Sequence, residues 1–295
     1  VGTFGGGLRA VPVEELAATA IKAVLERTGI DPEIIDDVCF AQSYVNGETP
    51  CIGRWAALHA GLPVSVPGLQ IDRRCGGGLQ AVVTAAMMVQ TGAADVVLAG
   101  GAESMSNAEH YTTSVRWGAR GVRPDSTPET LAKLRTIMPG GTVTAGNASQ
   151  QNDAAAACLV VAEDRLGPLG LEPLGYLAGW AAAGCEPATM GIGPVPAVQK
   201  LFSRTGLAFR DIDLVELNEA FAVQVLAVLA GWGWNEPDQL NVNGSGISLG
   251  HPIGATGARM LATGLRELRR RNGRYLLETM CVGGGQGMAA VFEAA

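Results

Sequence analysis

Apolar positions along the chain follow two patterns. Over residues 13–25, Val13, Leu16, Ala17, Ala20, Ile21, Val24 and Leu25 fall on one helical face. Thr28-Gly29 marks the stop of that helix. Short apolar runs follow at Val38–Ala41, Gly68–Asp72 and Asp95–Ala99. Runs of this length, bounded by turn residues, predict buried strands. Helices are expected around 51–60 and from the glycines after Cys75 to about Gln90, and Gly100-Gly101 closes the strand before it. Thr142–Thr144 and Ala155–Val160 read as further strands, and Thr127-Pro128-Glu129 as a helix start. Residues 107–127 show no period. Strands alternating with helices indicate the α/β class.

The second half of the pattern repeats the first. Arg27-Thr28-Gly29-Ile30 is matched by Arg204-Thr205-Gly206-Leu207, and Ile35, Asp36 and Val38 by Ile212, Asp213 and Val215. Further on, Cys75-x-x-Gly78-x-x-Ala81 lines up with His251-x-x-Gly254-x-x-Gly257. Each then opens a helix, followed by a strand and a glycine pair, Gly100-Gly101 or Gly283-Gly284. Ordered agreement at several places indicates two similar α/β halves related by duplication.

Composition narrows the function. The 295 residues carry a net charge of −7 and only 17% charged residues, with 47% apolar. That excludes a disordered chain and argues against a nucleic-acid partner, which needs a basic face. No apolar run is long enough for a membrane-spanning helix. Arg266, Arg269, Arg270, Arg271 and Arg274 cluster near Asn272-Gly273, where cations suit a helix C-terminus. The six cysteines include no C-x-x-C and only three histidines accompany them, so no metal-ligand spacing is present. No secretory signal is visible, and the reading is cytoplasmic. The 41 glycines are about twice the ordinary share and demand a local cause. They do not form a phosphate loop, because neither G-x-x-x-x-G-K-[ST] nor a strand-linked G-x-G-x-x-G occurs. They cluster instead beside Cys75, His251 and Cys281.

Those three residues are the candidates for chemistry. Cys75 lies between a strand and a helix start, where the helix dipole favours the thiolate; a small buried hydrophobe is the alternative. His251 sits opposite Cys75 in the repeat, so halves packed face to face bring nucleophile and base together. Cys281 ends an expected strand and offers a second thiol for proton exchange. Asn218, where a strand passes into an apolar helix, is either a cap or an amide facing a developing oxyanion.

The motifs Cys75-Gly-Gly-Gly-Leu-Gln-Ala, Gly100-Gly-Ala-Glu-Ser-Met-Ser, Ala145-Gly-Asn-Ala-Ser149, Asn218-Glu-Ala-Phe-Ala, Gly250-His-Pro-Ile-Gly-Ala-Thr-Gly-Ala and Cys281-Val-Gly-Gly-Gly-Gln-Gly occur in that order over nearly the whole chain. In this the chain resembles the thiolases. The resemblance implies a duplicated, five-layer α/β/α/β/α thiolase fold and an acyltransferase of 3-ketoacyl-CoA metabolism. Cys75 would carry the acyl group as a thioester. His251 would activate it and hold the thioester oxygen, and Asn218 would position a water in the same oxyanion hole. Cys281 would move the α-carbon proton of acetyl-CoA. Backbone N–H groups of Cys75 and Gly283 would form a second oxyanion hole, and Ala145, Ser149, Met190 and Phe221 would line the pantetheine channel. Coenzyme A thioesters would be substrates, with no cofactor and no metal, and the assembly a homodimer or homotetramer.

The sequence departs from the family pattern in two places. The strand that normally precedes the segment matching Val1–Gly5 is missing. Trp117–Gly121 also runs directly into Val122–Asp125, leaving residues 122–140 as a remnant of the family's inserted loop domain. The expected organisation is one half from 1–121 and 141–165, that remnant, and a second half from 166–295. Two other readings compete: a ketoacyl-synthase-type condensing enzyme, which would pair one cysteine with two histidines, and a non-catalytic acyl-CoA-binding protein.

Overall fold

The first and last helices stop on residues suited to that position. The first carries Glu14 and Glu15 in its opening turn and Arg27 in its last, and ends on Gly29 at φ 65°. The last ends on Asn272 at φ 55°, with Arg269, Arg270 and Arg271 in its final turn. The arginine cluster thus serves a helix C-terminus, and Arg270 and Arg271 both hold Glu267 at 2.6 Å.

A computed structural model describes residues 1–109, 133–136, 140–234 and 237–295. The described elements are, in chain order, β1 (Gly2–Thr3), α1 (Val13–Thr28), β2 (Asp37–Ala41), α2 (Ile52–Ala60), β3 (Gly68–Ile71), α3 (Gly77–Gln90), β4 (Val96–Ser104), β5 (Asn152–Val161), α4 (Glu163–Leu169), β6 (Gly175–Gly184), α5 (Pro194–Thr205), β7 (Leu214–Leu217), α6 (Ala222–Trp232), α7 (Gly246–Leu249), α8 (Ile253–Arg271), β8 (Tyr275–Val282) and β9 (Gln286–Ala294). The helix start at Thr127-Pro128-Glu129 lies outside the described residues, as does most of the 122–140 segment.

The strands form two sheets, ordered β1-β5-β4-β2-β3 and β6-β9-β8-β7. In the first, β2 pairs in parallel with β3 and β4, while β5 runs antiparallel to β4 and β1. In the second, β7 is parallel to β8, and β9 is antiparallel to β8 and β6. Beyond β7, Leu240 forms a single parallel bridge to Val215, where the first sheet has the whole of β3. Order and direction therefore repeat, as the sequence repeat implies.

Three apolar clusters define the layers. One joins α1 and α2 to the first sheet, through Val13, Ile21, Ile52 and Phe40. A second joins α5 and α6 to the other sheet, through Leu201, Val228 and Leu277. The third lies between the sheets, where Leu79 and Val83 of α3 meet Met260 and Leu268 of α8. The result is five layers, α/β/α/β/α.

In the middle layer the two helices touch backbone to backbone. A Cβ on Gly257 would lie 2.3 Å from Leu79 N, and one on Gly78 would lie 2.8 Å from Gly254 O. Side chains are excluded there by space, which explains part of the glycine surplus.

Two sequence expectations are corrected. Gly100-Gly101 does not close β4, which runs on to Ser104. A Cβ there would strike Ala156 O or Gly254 O at 2.1 Å, so these glycines serve close packing and not a turn. Thr142–Thr144 is not a strand: Thr144 makes one bridge, to Thr136, and turns back on the Asn147 amide at 2.7 Å. Strands β6 and β9 escaped the pattern because Ala and Gly interrupt their bulky residues, Tyr176, Leu177 and Trp180 in one and Val291 and Phe292 in the other, so no continuous apolar run marks them.

The middle layer also buries charge. Glu216 and Glu278 are in-register neighbours on β7 and β8, and both are fully buried. Neither carboxylate nor the Arg259 guanidinium of α8 finds a hydrogen-bond partner among the described groups. Burial raises both carboxyl pKa values, Glu278 well above the usual carboxylate range, with Arg259 acting the other way.

Two predictions follow from this layer. Gly257→Ala should destabilise the protein by about 3 kcal/mol, read by denaturant unfolding. A buried carboxyl with a raised pKa stabilises the fold below its unfolded value of about 4.5 and loses that contribution as pH rises. Glu278→Gln should therefore melt higher than wild type at pH 8, with the two converging near pH 4.5, in thermal scans across that range.

Candidate active site

The candidate residues all sit where strands end and helices begin. Cys75 occupies a single tight turn, Arg74–Gly76, that leads into α3. Asn218 directly follows β7, His251 lies two residues before the start of α8, and Cys281 is the penultimate residue of β8. Doubly wound sheets place their ligand sites at such strand ends.

Cys75 and Cys281 lie within electrostatic reach of each other, and Gly283 N–H is directed at the Cys75 sulfur, as is Cys75's own N–H. His251 and Asn218 form a second pair, with Asn218 Nδ2 3.3 Å from His251 Nε2. The two pairs are joined by the glycine contact of the middle layer, because Gly78 and Gly254 each lie three residues beyond Cys75 and His251.

The tautomer of His251 follows from its neighbours. Thr256 Oγ1 donates its one proton to Pro252 O at 3.0 Å, so it accepts from His251 Nδ1–H at 2.7 Å. Nε2 is then the unprotonated nitrogen, and Asn218 Nδ2–H donates to it. Asn218 Oδ1 is buried and accepts nothing from the described groups.

Burial sets the charge state. It lowers the His251 pKa to about 4, assisted by the nearby positive charge of Arg259. It pushes Cys75 up to about 11 and Cys281 up to about 12. This corrects the helix-dipole expectation for Cys75. The N–H groups of Gly283 and Cys75 and the charge of Arg74 all favour the thiolate, but desolvation outweighs them. At rest the site is neutral, with two thiols and an imidazole.

Sequence reasoning missed the residues that hold this arrangement. Asn152 of β5 accepts His251 N–H at 2.8 Å and donates to Gly2 O at 3.0 Å. Glu103 of β4 accepts three backbone N–H groups, from Ser43 at 3.1 Å, Tyr44 at 3.0 Å and Gly254 at 2.9 Å. Glu103 and Thr256 lie inside the motifs that carry the family resemblance, whereas Asn152 lies outside them.

The expected channel residues are partly gathered. Ala148 bridges Phe221, Ser149 N–H donates to Ala220 O at 2.8 Å, and Ala222 N–H to Asn147 O at 2.9 Å. Ser149 and Phe221 thus share one edge at the start of α6. Met190 lies in the turn before α5, whose next residue, Gly191, packs close to Gln224 of α6. Ala145 lies exposed on the turn leading to Ser149. Among the described residues no cluster of His, Cys, Asp or Glu has the makings of a metal site.

Family models for the two halves of a thiolase match almost end to end. The thiolase N-terminal domain matches residues 1–121 and 120–164, and the thiolase C-terminal domain matches residues 171–294. The chain belongs to the thiolase family. An acetyl-CoA acetyltransferase of Chromobacterium violaceum is 37% identical over 379 aligned positions, covering 99% of this chain and 96% of the relative. The beta-ketothiolase BktB of Cupriavidus necator is 36% identical with the same coverage. Human mitochondrial 3-ketoacyl-CoA thiolase in complex with CoA superposes with a TM-score of 0.93 at 31% identity, over 100% of this chain and 95% of that one. The thiolase alignments thus span 379 positions against 295 residues here, and the N-terminal model is matched in two pieces that meet at residues 120 and 121.

Thr256→Val preserves the shape beside His251 and removes the Nδ1–H acceptor. The hydrogen-bond loss should lower kcat/KM about tenfold to a hundredfold, measured on the purified thiolase, while alkylation of Cys75 persists.

Proposed function

We infer that this thiolase catalyses reversible acyl transfer between acyl-CoA and acetyl-CoA, joining or cleaving a 3-ketoacyl chain through a thioester on Cys75. The observation that carries the reading is one cluster: the Cys75 sulfur under Gly283 N–H, Cys281 within electrostatic reach, and the paired His251 and Asn218 at the adjoining helix start.

The resting pKa values make the steps interdependent. With Cys75 near 11 and His251 near 4, no ion pair forms in advance. The thiol proton passes to His251 Nε2, displacing the Asn218 Nδ2–H hydrogen bond, as the sulfur attacks the acyl-CoA carbonyl. His251 Nε2–H then faces the developing oxyanion, and Asn218 Oδ1 orients a water beside it. The carbon–sulfur bond to CoA breaks, and Cys281 protonates the departing CoA thiolate. Cys281, now a thiolate, removes the α-proton of the incoming acetyl-CoA. The carbanion attacks the Cys75 thioester, whose oxygen is held by the N–H groups of Cys75 and Gly283. Collapse releases the Cys75 thiolate, which recovers the proton from His251. Every proton is returned, and thiolysis is the reverse path.

Ala145, Ser149, Met190 and Phe221 are read as the pantetheine channel, supported by the pairing of 147–149 with 220–222. The split family match supports placing the shortened loop domain, residues 122–140, inside the first half, between its 1–121 and 141–165 pieces, with 166–295 as the second half. A homo-oligomer and a cytoplasmic setting complete the reading. Among the described residues no helix is long and apolar enough to cross a membrane.

Labelled acetyl-CoA should leave one acetyl group on Cys75, located by peptide mass spectrometry. Cys281→Ala should still accept the label but lose condensation and thiolysis, and Cys75→Ala should lose all three. Full activity in Cys75→Ala would overturn the reading.

A further inference from the structure

The residue directly before the nucleophile is unusual. Arg74 has φ 43°, and the other non-glycine residues with positive φ among those described are Asn241 and Asn272. Asparagine tolerates that region through its short polar side chain, and arginine has no such compensation. A strained residue of this kind persists only where its surroundings hold it, at about 1–3 kcal/mol.

The surroundings of Arg74 do hold it. Its N–H donates to Asp72 Oδ1 at 2.8 Å, and its Nη1 donates across to Ser43 O at 2.8 Å. Its carbonyl accepts from Gly77, at the start of α3. Its stem covers Gly283, where a Cβ would lie 3.6 Å from Arg74 Cγ. Gly283 is the residue whose N–H is directed at the Cys75 sulfur. Ser43, the far anchor, is itself held by Glu103, the carboxylate that also caps Gly254 beyond His251. Arg74 therefore closes a loop of contacts linking nucleophile, oxyanion donor and base.

The charges around Cys75 divide by element. Arg74 is the positive charge beside the thiol. Against it stand Glu103 from β4 and Asp72 from its own loop, the latter 3.4 Å from the guanidinium. Cys281 faces Cys75 from β8, and a thiolate there adds a second negative charge. Two sulfur anions arise in turn during the cycle, so a fixed cation between loop and sheet has work to do.

We propose that Arg74 is a positioning residue for Cys75: its left-handed backbone aims the thiol at Gly283 N–H, and its tethered guanidinium offsets Glu103 as the thiolate forms. The proposal rests on the thiolase reading for its purpose, but its test does not.

The test is the pH dependence of Cys75 alkylation by iodoacetamide in the full chain, with the adduct at Cys75 quantified by peptide mass spectrometry. Arg74→Gln removes the charge. Arg74→Asn removes it while suiting the left-handed backbone, so it should melt no lower than wild type. Arg74→Lys keeps the charge. In the Gln and Asn variants the alkylation midpoint should rise by about half a unit to one unit, a threefold to tenfold slower reaction at fixed pH below the midpoint. Arg74→Lys should recover most of the wild-type profile. Wild-type profiles in folded Arg74→Asn or Arg74→Gln would overturn the proposal. Failure of wild type to take acetyl label from acetyl-CoA would instead overturn the thiolase reading and leave the alkylation result standing.

Discussion

The structure turns on the backbone contact between α3 and α8 in the middle layer. Two helices meet there with no side chain between them, Gly257 against Leu79 N and Gly78 against Gly254 O. The contact fixes the distance between the turns that open those helices, and those turns carry Cys75 and His251. Wider spacing would leave both sheets intact while drawing Cys75 away from His251. The carboxylate of Glu103 and the amide of Asn152 then fix the remaining freedom of the His251 loop from the other sheet. Fold and site are the same packing problem.

That closeness creates the electrostatic setting. A layer enclosed by two sheets excludes water, and each ionisable group responds by moving toward its neutral form. The thiols of Cys75 and Cys281 rise and the imidazole of His251 falls. A dry, neutral site gives fixed dipoles more leverage on any charge that appears with substrate. Its donors, Gly283 N–H and Cys75 N–H, are backbone groups held by the glycine-rich turns. The glycine surplus is thus tied to the candidate site through packing.

Much of this was legible in the residues. The repeat registered Cys75 against His251, and both do open the helices that touch. Strands at Val38–Ala41 and Gly68–Ile71 and the helix ending at Gly29 follow directly from apolar runs and stop residues. Other features were hidden for physical reasons. Gly100-Gly101 looked like a turn because glycine serves turns and close packing alike, and only the position of Gly254 O distinguishes them. Glu103 and Asn152 act across about 150 and 100 residues of chain, and local pattern carries no sign of such contacts. The sign of the Cys75 shift was misjudged because the helix dipole is visible in the sequence and the depth of burial is not.

The repeat also shows how one architecture holds two different residues at matching helix starts. The first half keeps β3, which delivers the chain into the tight turn at Cys75 with Arg74 strained beside it. The second half reduces the matching strand to a bridge at Leu240, and inserts Asn241–Leu249 before His251. Asn241 secures that stretch by accepting from Leu217 N–H and donating to Leu217 O, each at 2.8 Å, on the residue next to Asn218. The longer approach gives His251 a buried, hydrogen-bonded seat, whereas the strand approach leaves Cys75 half-buried. The two halves therefore differ at matching helix starts: one carries Cys75 behind a full edge strand, and the other carries His251 behind a longer, hydrogen-bonded approach.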